Sequence, residues 1–213
     1  MKKLFSVFTL LCLSIVAANA TEQDIVDRSA QTIREFRHMP ERGIPPRILR
    51  HARGLAIISV VKAGFIFSGK GGEGVVVART SRGWSGPSFI GTGGAGWGPQ
   101  IGAQVTDFVI VLNSDRAVNA FSRGGNITLG ADASVAAGPV GRAAEADVTP
   151  RAAIYTYSRS KGLFVGASLE GAVIGTRKNA NERYYGHPVM ASEILHGRVP
   201  APAGSASLRA ALR

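Results

Sequence analysis

Residues 69–74, Gly69-Lys70-Gly71-Gly72-Glu73-Gly74, have the spacing closest to phosphate chemistry. Gly69-x-Gly71-x-x-Gly74 is the glycine pattern of a dinucleotide-binding loop, and Gly91-x-Gly93-x-x-Gly96 repeats it. Such a loop works between a strand and a helix, whose first amides hold the pyrophosphate. Here the first copy runs into Val75-Val76-Val77, a strand-forming run. The second runs into Trp97-Gly98-Pro99, where the proline disfavours helix at Gly98. A third string, Gly64-x-x-x-x-Gly69-Lys70, carries Gly71 where a P-loop needs Ser or Thr, and its interior Phe65-Ile66-Phe67 is apolar. None of the three supports nucleotide binding. Residues 69–74 are instead expected to form a hairpin connection with Lys70 exposed at its tip.

Nucleophile and metal chemistry find no better support. Gly166-Ala167-Ser168-Leu169-Glu170-Gly171 is one residue too long for a nucleophile elbow. No histidine is tied to Ser168: His187 precedes Pro188 in an apparent loop, and His196 falls in an expected terminal helix. The four histidines lack metal-ligand spacing. Asp107, Asp132 and Glu170 fall on expected strands, where pairing with arginine is their expected use. The expectation is a non-enzyme with no cofactor and no metal.

The basic stretch 42–82 has more content. Arg42, Arg47, Arg50, Arg53, Lys62, Lys70, Arg79 and Arg82 face a single acid, Glu73. Brought to one side of the fold, they would make a cationic surface for phosphate groups. The expected lipid contacts are therefore Arg47, Arg50, Arg53, Lys62, Lys70, Arg79 and Arg82. An ordinary solvated basic face is the competing reading. Lys62, between Val61 and Ala63, either turns outward by alternation or lays its stem along an edge. Phe65, Phe67, Trp84 and Trp97 could add apolar insertion, or belong to the core. Nucleic acid is not expected, because no stacking aromatics are interleaved with these charges.

The chain begins as an exported protein does. Lys2 and Lys3 precede an apolar run over 4–16, and Ala18-Asn19-Ala20 is a cleavage site, so 1–20 reads as a signal peptide. The single cysteine, Cys12, lies within it, which leaves no thiol chemistry after cleavage. Loss of Lys2 and Lys3 takes the formal charge from +11 to +9. The expected location is periplasmic or secreted, peripherally on a membrane. There the anionic partners are phospholipid headgroups, envelope polymers or an acidic envelope protein.

These residues need elements to position them. Residues 24–37 read as an amphipathic helix with Ile25, Ser29, Ile33 and Phe36 on one face, and Val26 and Ala30 beside them. A second helix is expected over 46–53, with Pro46 at its first position and Arg47, Arg50 and Arg53 along its outer edge. From Gly54 onward, short strands broken by glycine are expected over 55–61, 65–68, 74–80, 84–92, 98–112, 127–137, 151–159, 163–174 and 180–184. Helices are expected over 114–121 and 189–196, before a Pro/Ala/Ser tail with a turn over 208–212. Twenty-seven glycines spread across the strands imply bulges, bends and close backbone approach. The fold class is α+β: a strongly coiled antiparallel sheet or small barrel, packed by N- and C-terminal helices. One domain is expected over 21–209, with 210–213 as tail.

An ordered series of blocks then points to a family. Ile44-Pro45, Ala52-Arg53-Gly54-Leu55-Ala56-Ile57-Ile58, Lys62-Ala63-Gly64-Phe65, Gly72-x-Gly74-Val75, Trp84-Ser85-x-Pro87-x-Phe89 and Asp107-x-Val109-x-Val111-Leu112 resemble the SYLF domain, the lipid- and actin-binding module of endocytic adaptors. Tyr157-Ser158-Arg159-Ser160-Lys161-Gly162 and Ser168-Leu169-Glu170-Gly171 continue the resemblance, which spans residues 21 to about 209 and suggests a bacterial exported member. It implies binding to phosphoinositide or other anionic headgroups, aided by an N-terminal amphipathic helix. The 24–37 helix matches in position, but the segment 21–41 that carries it is net acidic, with three arginines against five carboxylates, where membrane-binding relatives are lysine-rich. An exported bacterial protein would not meet actin or phosphoinositides in its own cell, so an anionic phospholipid surface is the expected partner.

Overall fold

Thr21 opens the first helix, α1 (Glu22–His38), with a reciprocal cap: its hydroxyl accepts from the Asp24 amide while the Asp24 carboxylate accepts from the Thr21 amide. The computed structural model describes residues 20–39, 43–129, 135–137, 153–162 and 172–213. Within them α1 is followed by α2 (Pro46–His51), β1 (Gly54–Thr80), β2 (Gly83–Trp84) and β3 (Ser88–Leu112). Next come α3 (Asp115–Ser122), capped by the Ser114 hydroxyl, then β4 (Asn126–Thr128), β5 (Val135–Ala137), β6 (Ile154–Gly162) and β7 (Val173–Thr176). The chain closes with α4 (Lys178–Tyr185), α5 (Ala191–Leu195), a short 3₁₀ turn (Ala203–Ser205) and α6 (Ala206–Ala211).

The sheet is built on one very long hairpin. β1 and β3 pair antiparallel from Gly54–Leu112 to Val76–Ser88, with one irregularity between Phe65 and Phe67. β6 and β7 both pair antiparallel with β3, β4 pairs with β7, and β5 lies parallel to β6. The expected breaks at 62–64, 69–73 and 93–97 are absent, and the expected hairpin at 69–74 is corrected. Residues 69–74 are interior to β1, matched residue for residue with Ala95 back to Ile90 of β3. These glycines do not adopt positive φ. Among the described residues that conformation is found at Gly83, Gly124, Gly186 and Gly197, and Gly83, paired with Thr80, closes the tight turn between β1 and β2.

What the glycine run supplies is close approach. The returning arm of β1 passes so near the outgoing arm that a Cβ on Gly74 would stand 2.0 Å from the Ile57 carbonyl oxygen. A Cβ on Gly72 would stand 2.8 Å from Val60. The strand therefore curls back on itself, and the sheet becomes a half-barrel. Its inner face carries Ala56, Ile58, Val60, Val76, Ile90, Phe108, Ile110 and Leu112, plugged by Phe121 and Val118 of α3 and Leu195 of α5. Its outer face carries Leu55, Ile57, Val75, Val77, Val109, Val111, Tyr155 and Tyr157, and receives Ile25, Val26, Ala30, Ile33 and Phe36 of α1 with Leu208 and Ala211 of α6.

Two further expectations change. Residues 180–184 are helical, within α4, because Gly186 supplies the left-handed C-cap. The buried Asn181 also fixes this helix to the sheet, accepting from the Phe89 amide at 2.7 Å. The final segment is packed and helical: Leu208, Ala211 and Leu212 are buried, and the Trp84 indole donates to the Leu212 carbonyl at 3.1 Å.

Candidate functional site

The seven expected contacts do not form one surface. Arg53 sits where β1 begins: its amide donates to Leu112 O, and its carbonyl accepts from the Arg79 amide, each at 2.8 Å. That joins Arg47, Arg50, Arg53, Arg79 and Arg82 into one end of the half-barrel. Lys62 and Lys70 lie at the other. Gly72 abuts Ser59 and Val60, and two residues farther along each arm stand Lys70 and Lys62. Eight residues of strand separate Gly54 from Lys62, up to about 25 Å at the usual rise per residue.

The arginine end is partly committed to the fold. Arg79 donates from Nε to Ala52 O at 2.9 Å and from Nη2 to Leu49 O at 3.1 Å, closing the last carbonyls of α2. Its guanidinium also stacks 4.5 Å from the centre of the Trp84 ring. Arg82 reaches across to the Gly197 carbonyl. Arg47 is half-buried and engaged. Arg50 and Arg53 are exposed, and Arg53 stands 3.8 Å from Asp115, an exposed pair that contributes little. Arg116, beside Asp115, and Arg198, next to Gly197, extend this end. No local pattern in the sequence ties them to Arg53 or Arg82.

At the lysine end, Lys70 is exposed on the returning arm and lies across Gly94 of its partner strand. Lys62 is half-buried. Glu73, the single acid of the stretch, is matched by Arg177, whose Nη1 lies 2.8 Å from its carboxylate without hydrogen-bond alignment. This pair borders an open cleft of about 440 Å³ floored by Gly91, Gly93 and Gly175, with Asn126 on its far side. Among the described residues that line it there is no nucleophile–base pair. Among the described residues no three His, Cys, Asp or Glu converge as metal ligands.

One half-buried charge network escaped the reading of the sequence. Arg159 on β6 donates to Asp107 on β3 at 3.1 Å and contacts Glu35 on α1, while Ser59 on β1 donates to Asp107 at 2.6 Å. Burial opposes the charge of Arg159. The hydrogen bonds to Asp107 and Glu35 outweigh it and hold its pKa above the ordinary value. Arginine pairing was expected for Asp107, but the partner could come only from the register that sets Asp107 opposite Arg159. Asp132, Ser168 and Glu170 lie outside the described residues.

The candidates for apolar insertion also sort themselves. Trp84 is buried against the C-terminal segment, which is the core alternative of its two readings. Phe65, Phe67 and Trp97 fall at described strand positions, but their side chains lie outside the description. The apolar face of α1 is wholly used: Val26, Ala30 and Ile33 have no exposed surface, so the folded domain leaves that helix no apolar face to insert. Among the described residues no helix is long and apolar enough to cross a membrane.

Comparison with known proteins adds a second line. The family model Ysc84, described as Las17-binding protein actin regulator, matches residues 93–213. The human SH3 domain-containing YSC84-like protein 1 is 48% identical over 189 residues, covering 85% of this chain and 55% of the relative. Protein YSC84 of Saccharomyces cerevisiae is 52% identical over 164 residues, covering 75% of this chain and 35% of the relative. LAS seventeen-binding protein 3 of the same species is equally similar, with 36% of its length covered. This chain spans about half the length or less of these curated relatives, which are eukaryotic.

Proposed function

We propose, because this chain belongs to the Ysc84 family, that it is a non-catalytic binding domain whose lysine end associates with anionic, phosphoinositide-like phospholipid surfaces. In this reading it acts as a bacterial exported member, delivered outside the cytoplasm by the leader over 1–20. The observation that carries the reading is the division of its cations. Arg79 is consumed by the fold and Arg47, Arg50, Arg53 and Arg82 gather with it at one end, while Lys62, half-buried and engaged, and the exposed Lys70 lie toward the other. Lysine on a flexible stem suits a diffuse anionic surface, to which each cation adds about 1 kcal/mol.

Flotation with phosphatidylcholine vesicles of rising phosphatidylglycerol content tests this. Binding should rise with phosphatidylglycerol and fall with salt. A Lys62→Gln/Lys70→Gln variant should bind roughly 10- to 30-fold more weakly, whereas Arg50→Gln/Arg53→Gln should float as wild type does. Absence of salt-sensitive flotation at every content would end the lipid reading. Loss of flotation in the arginine variant alone would move the site to the other end.

A second reading concerns that arginine end. Arg50 and Arg53 are exposed and offer planar forks suited to carboxylates, and the matching family model is described as a Las17-binding protein. An acidic envelope protein is the corresponding partner here. Pulldown from detergent-treated envelope extract should then depend on Arg50 and Arg53 and not on Lys62 and Lys70.

A further inference from the structure

A closed chain of contacts runs around the arginine end of the half-barrel. The Arg53 carbonyl accepts from the Arg79 amide, and Thr80, the next residue, lies against Gly197, where an added Cβ would stand 3.0 Å from the threonine methyl. Gly197 follows His196, whose ring Nε2 lies 3.1 Å from Asn119 Oδ1 on α3. One turn back along α3 is Asp115, 3.8 Å from Arg53 Nε, which closes the circuit. Arg82 reaches into it at the Gly197 carbonyl. Arg53, Arg82, Arg116 and Arg198 are exposed along it, and so is His196. Its two acids are engaged: Asp115 beside Arg53, and Glu193 accepting from the Met190 amide at 2.8 Å.

His196 is the member whose charge can change. Its Nδ1 stands 2.8 Å from Ser192 O and its Nε2 faces Asn119 Oδ1, so both ring nitrogens look at acceptors. A neutral imidazole has one N–H and serves one of them unless Asn119 turns its amide; an imidazolium donates to both. The charged groups on the surrounding elements are Asp115, Arg116 and Arg123 of α3, Glu193 of α5, Arg198 beyond it and Arg82 of the β1–β2 turn. With the two acids engaged, the arginines oppose a further positive charge, and an anion brought to them relieves that opposition.

We infer that the arginine end is an acid-strengthened docking surface for an acidic protein segment, with His196 as the residue that adds charge to it. This rests on the second reading above and adds its regulation. The exposed Asp115 among the arginines selects the occupant. A uniformly anionic bilayer would be pressed against that carboxylate, whereas a protein segment offers discrete carboxylates to the forks and a donor to Asp115. Carboxylates bound beside His196 favour its imidazolium, so binding takes up a proton and tightens as pH falls through the imidazole range.

Fluorescence anisotropy of a short rhodamine-labelled poly-aspartate peptide, titrated with the full chain at about pH 6 and about pH 8, gives the test, because aspartate stays ionised at both. Wild type should bind roughly two- to fivefold more tightly at the lower pH, the scale of one exposed charge pair. His196→Gln should bind equally at both, and His196→Arg should bind at the higher pH as wild type does at the lower. His51→Gln, on α2, should keep the wild-type ratio. Arg82→Gln/Arg198→Gln should weaken binding at both pH values. Wild-type binding that ignores pH, or a ratio that survives His196→Gln, overturns the inference while arginine-dependent binding keeps the second reading. Peptide binding that is absent at both pH values, or indifferent to the arginines, removes both. Flotation on phosphatidylglycerol vesicles that requires Arg82 and Arg198 would assign the surface to a membrane and overturn the inference.

Discussion

The two halves of the β1–β3 hairpin are made by the same two strands, yet they solve different problems. Near Gly54 and Leu112 both faces are covered, by α1 and α6 outside and by α3 and α5 inside, and almost every side chain is apolar and buried. Past Ser59 and Asp107 the outer cover ends, and the strands turn to glycine, lysine and isolated valines. Secondary structure is common to both halves, so it does not distinguish them. The helices do. The covered half is a core; in the other half the strands stay paired, and among its described outer-face residues Val61, Ala63, Ala103 and Val105 are exposed.

The largest effect expected at the junction of these halves comes from a methyl group. Gly74→Ala would drive a Cβ to 2.0 Å from Ile57 O, a backbone atom that cannot swing aside. The arms would have to separate, and the loss of stability should exceed about 4 kcal/mol, so that cooperative unfolding is lost or the protein fails to fold. Gly71→Ala, three residues away on the bare half, meets nothing within 4 Å and should change stability by no more than about 0.5 kcal/mol. Urea unfolding of both variants measures the contrast. Equal behaviour would show that the glycine run is not divided between packing and open surface.

A smaller effect is expected where the cover ends. Arg159→Met leaves Glu35 and Asp107 as two partly buried carboxylates without their shared cation, at a cost of about 3 kcal/mol. Adding Glu35→Gln and Asp107→Asn should restore part of that loss, since the stranded charges are then gone. No recovery in the triple variant would mean that Arg159 acts by packing against Phe36, whose ring lies 6.0 Å from its guanidinium.

The same contrast explains what could be read from the chain alone. Helix α1 was legible because its apolar face repeats at helical spacing, and α3 because Ser114 stands ready to cap it. The strand over 55–61 was legible, but its inner and outer rows were not, because that run is apolar nearly throughout. The continuity of β1 through residues 69–74 was not, because glycine serves equally in a turn and beneath a crossing strand, and only the proximity of Ile57 decides between them. The α+β class and coiled sheet followed from glycine abundance. The split of the cations did not, since Lys62 and Arg53 are neighbours in sequence but lie at opposite ends once the strand is extended. Arg79 looked like a surface charge until the carbonyls of Leu49 and Ala52 were brought to it.

The smallest effect separates the two ends of α1 itself. At one end the helix is pinned by Glu35 on Arg159; at its start Glu22 accepts at 2.9 Å from Nε of Arg183, a far more exposed arginine than Arg159. Burial would raise the Glu22 carboxyl, but the contact with Arg183 prevails and holds its pKa below the ordinary 4.5. A carboxyl whose folded pKa is depressed contributes stability above its unfolded value and loses it as pH falls through the folded one. Glu22→Gln should therefore cost no more than about 1 kcal/mol at pH 7, as expected for a pair exposed on one side. That difference should shrink as pH is lowered beneath 4.5 and vanish once both states are protonated. Urea unfolding of the two proteins at neutral and acid pH tests the sign. A difference that persists unchanged in acid would mean that the Glu22 side chain stabilises α1 by its length and packing, and that charge anchors the helix only at the Arg159 end.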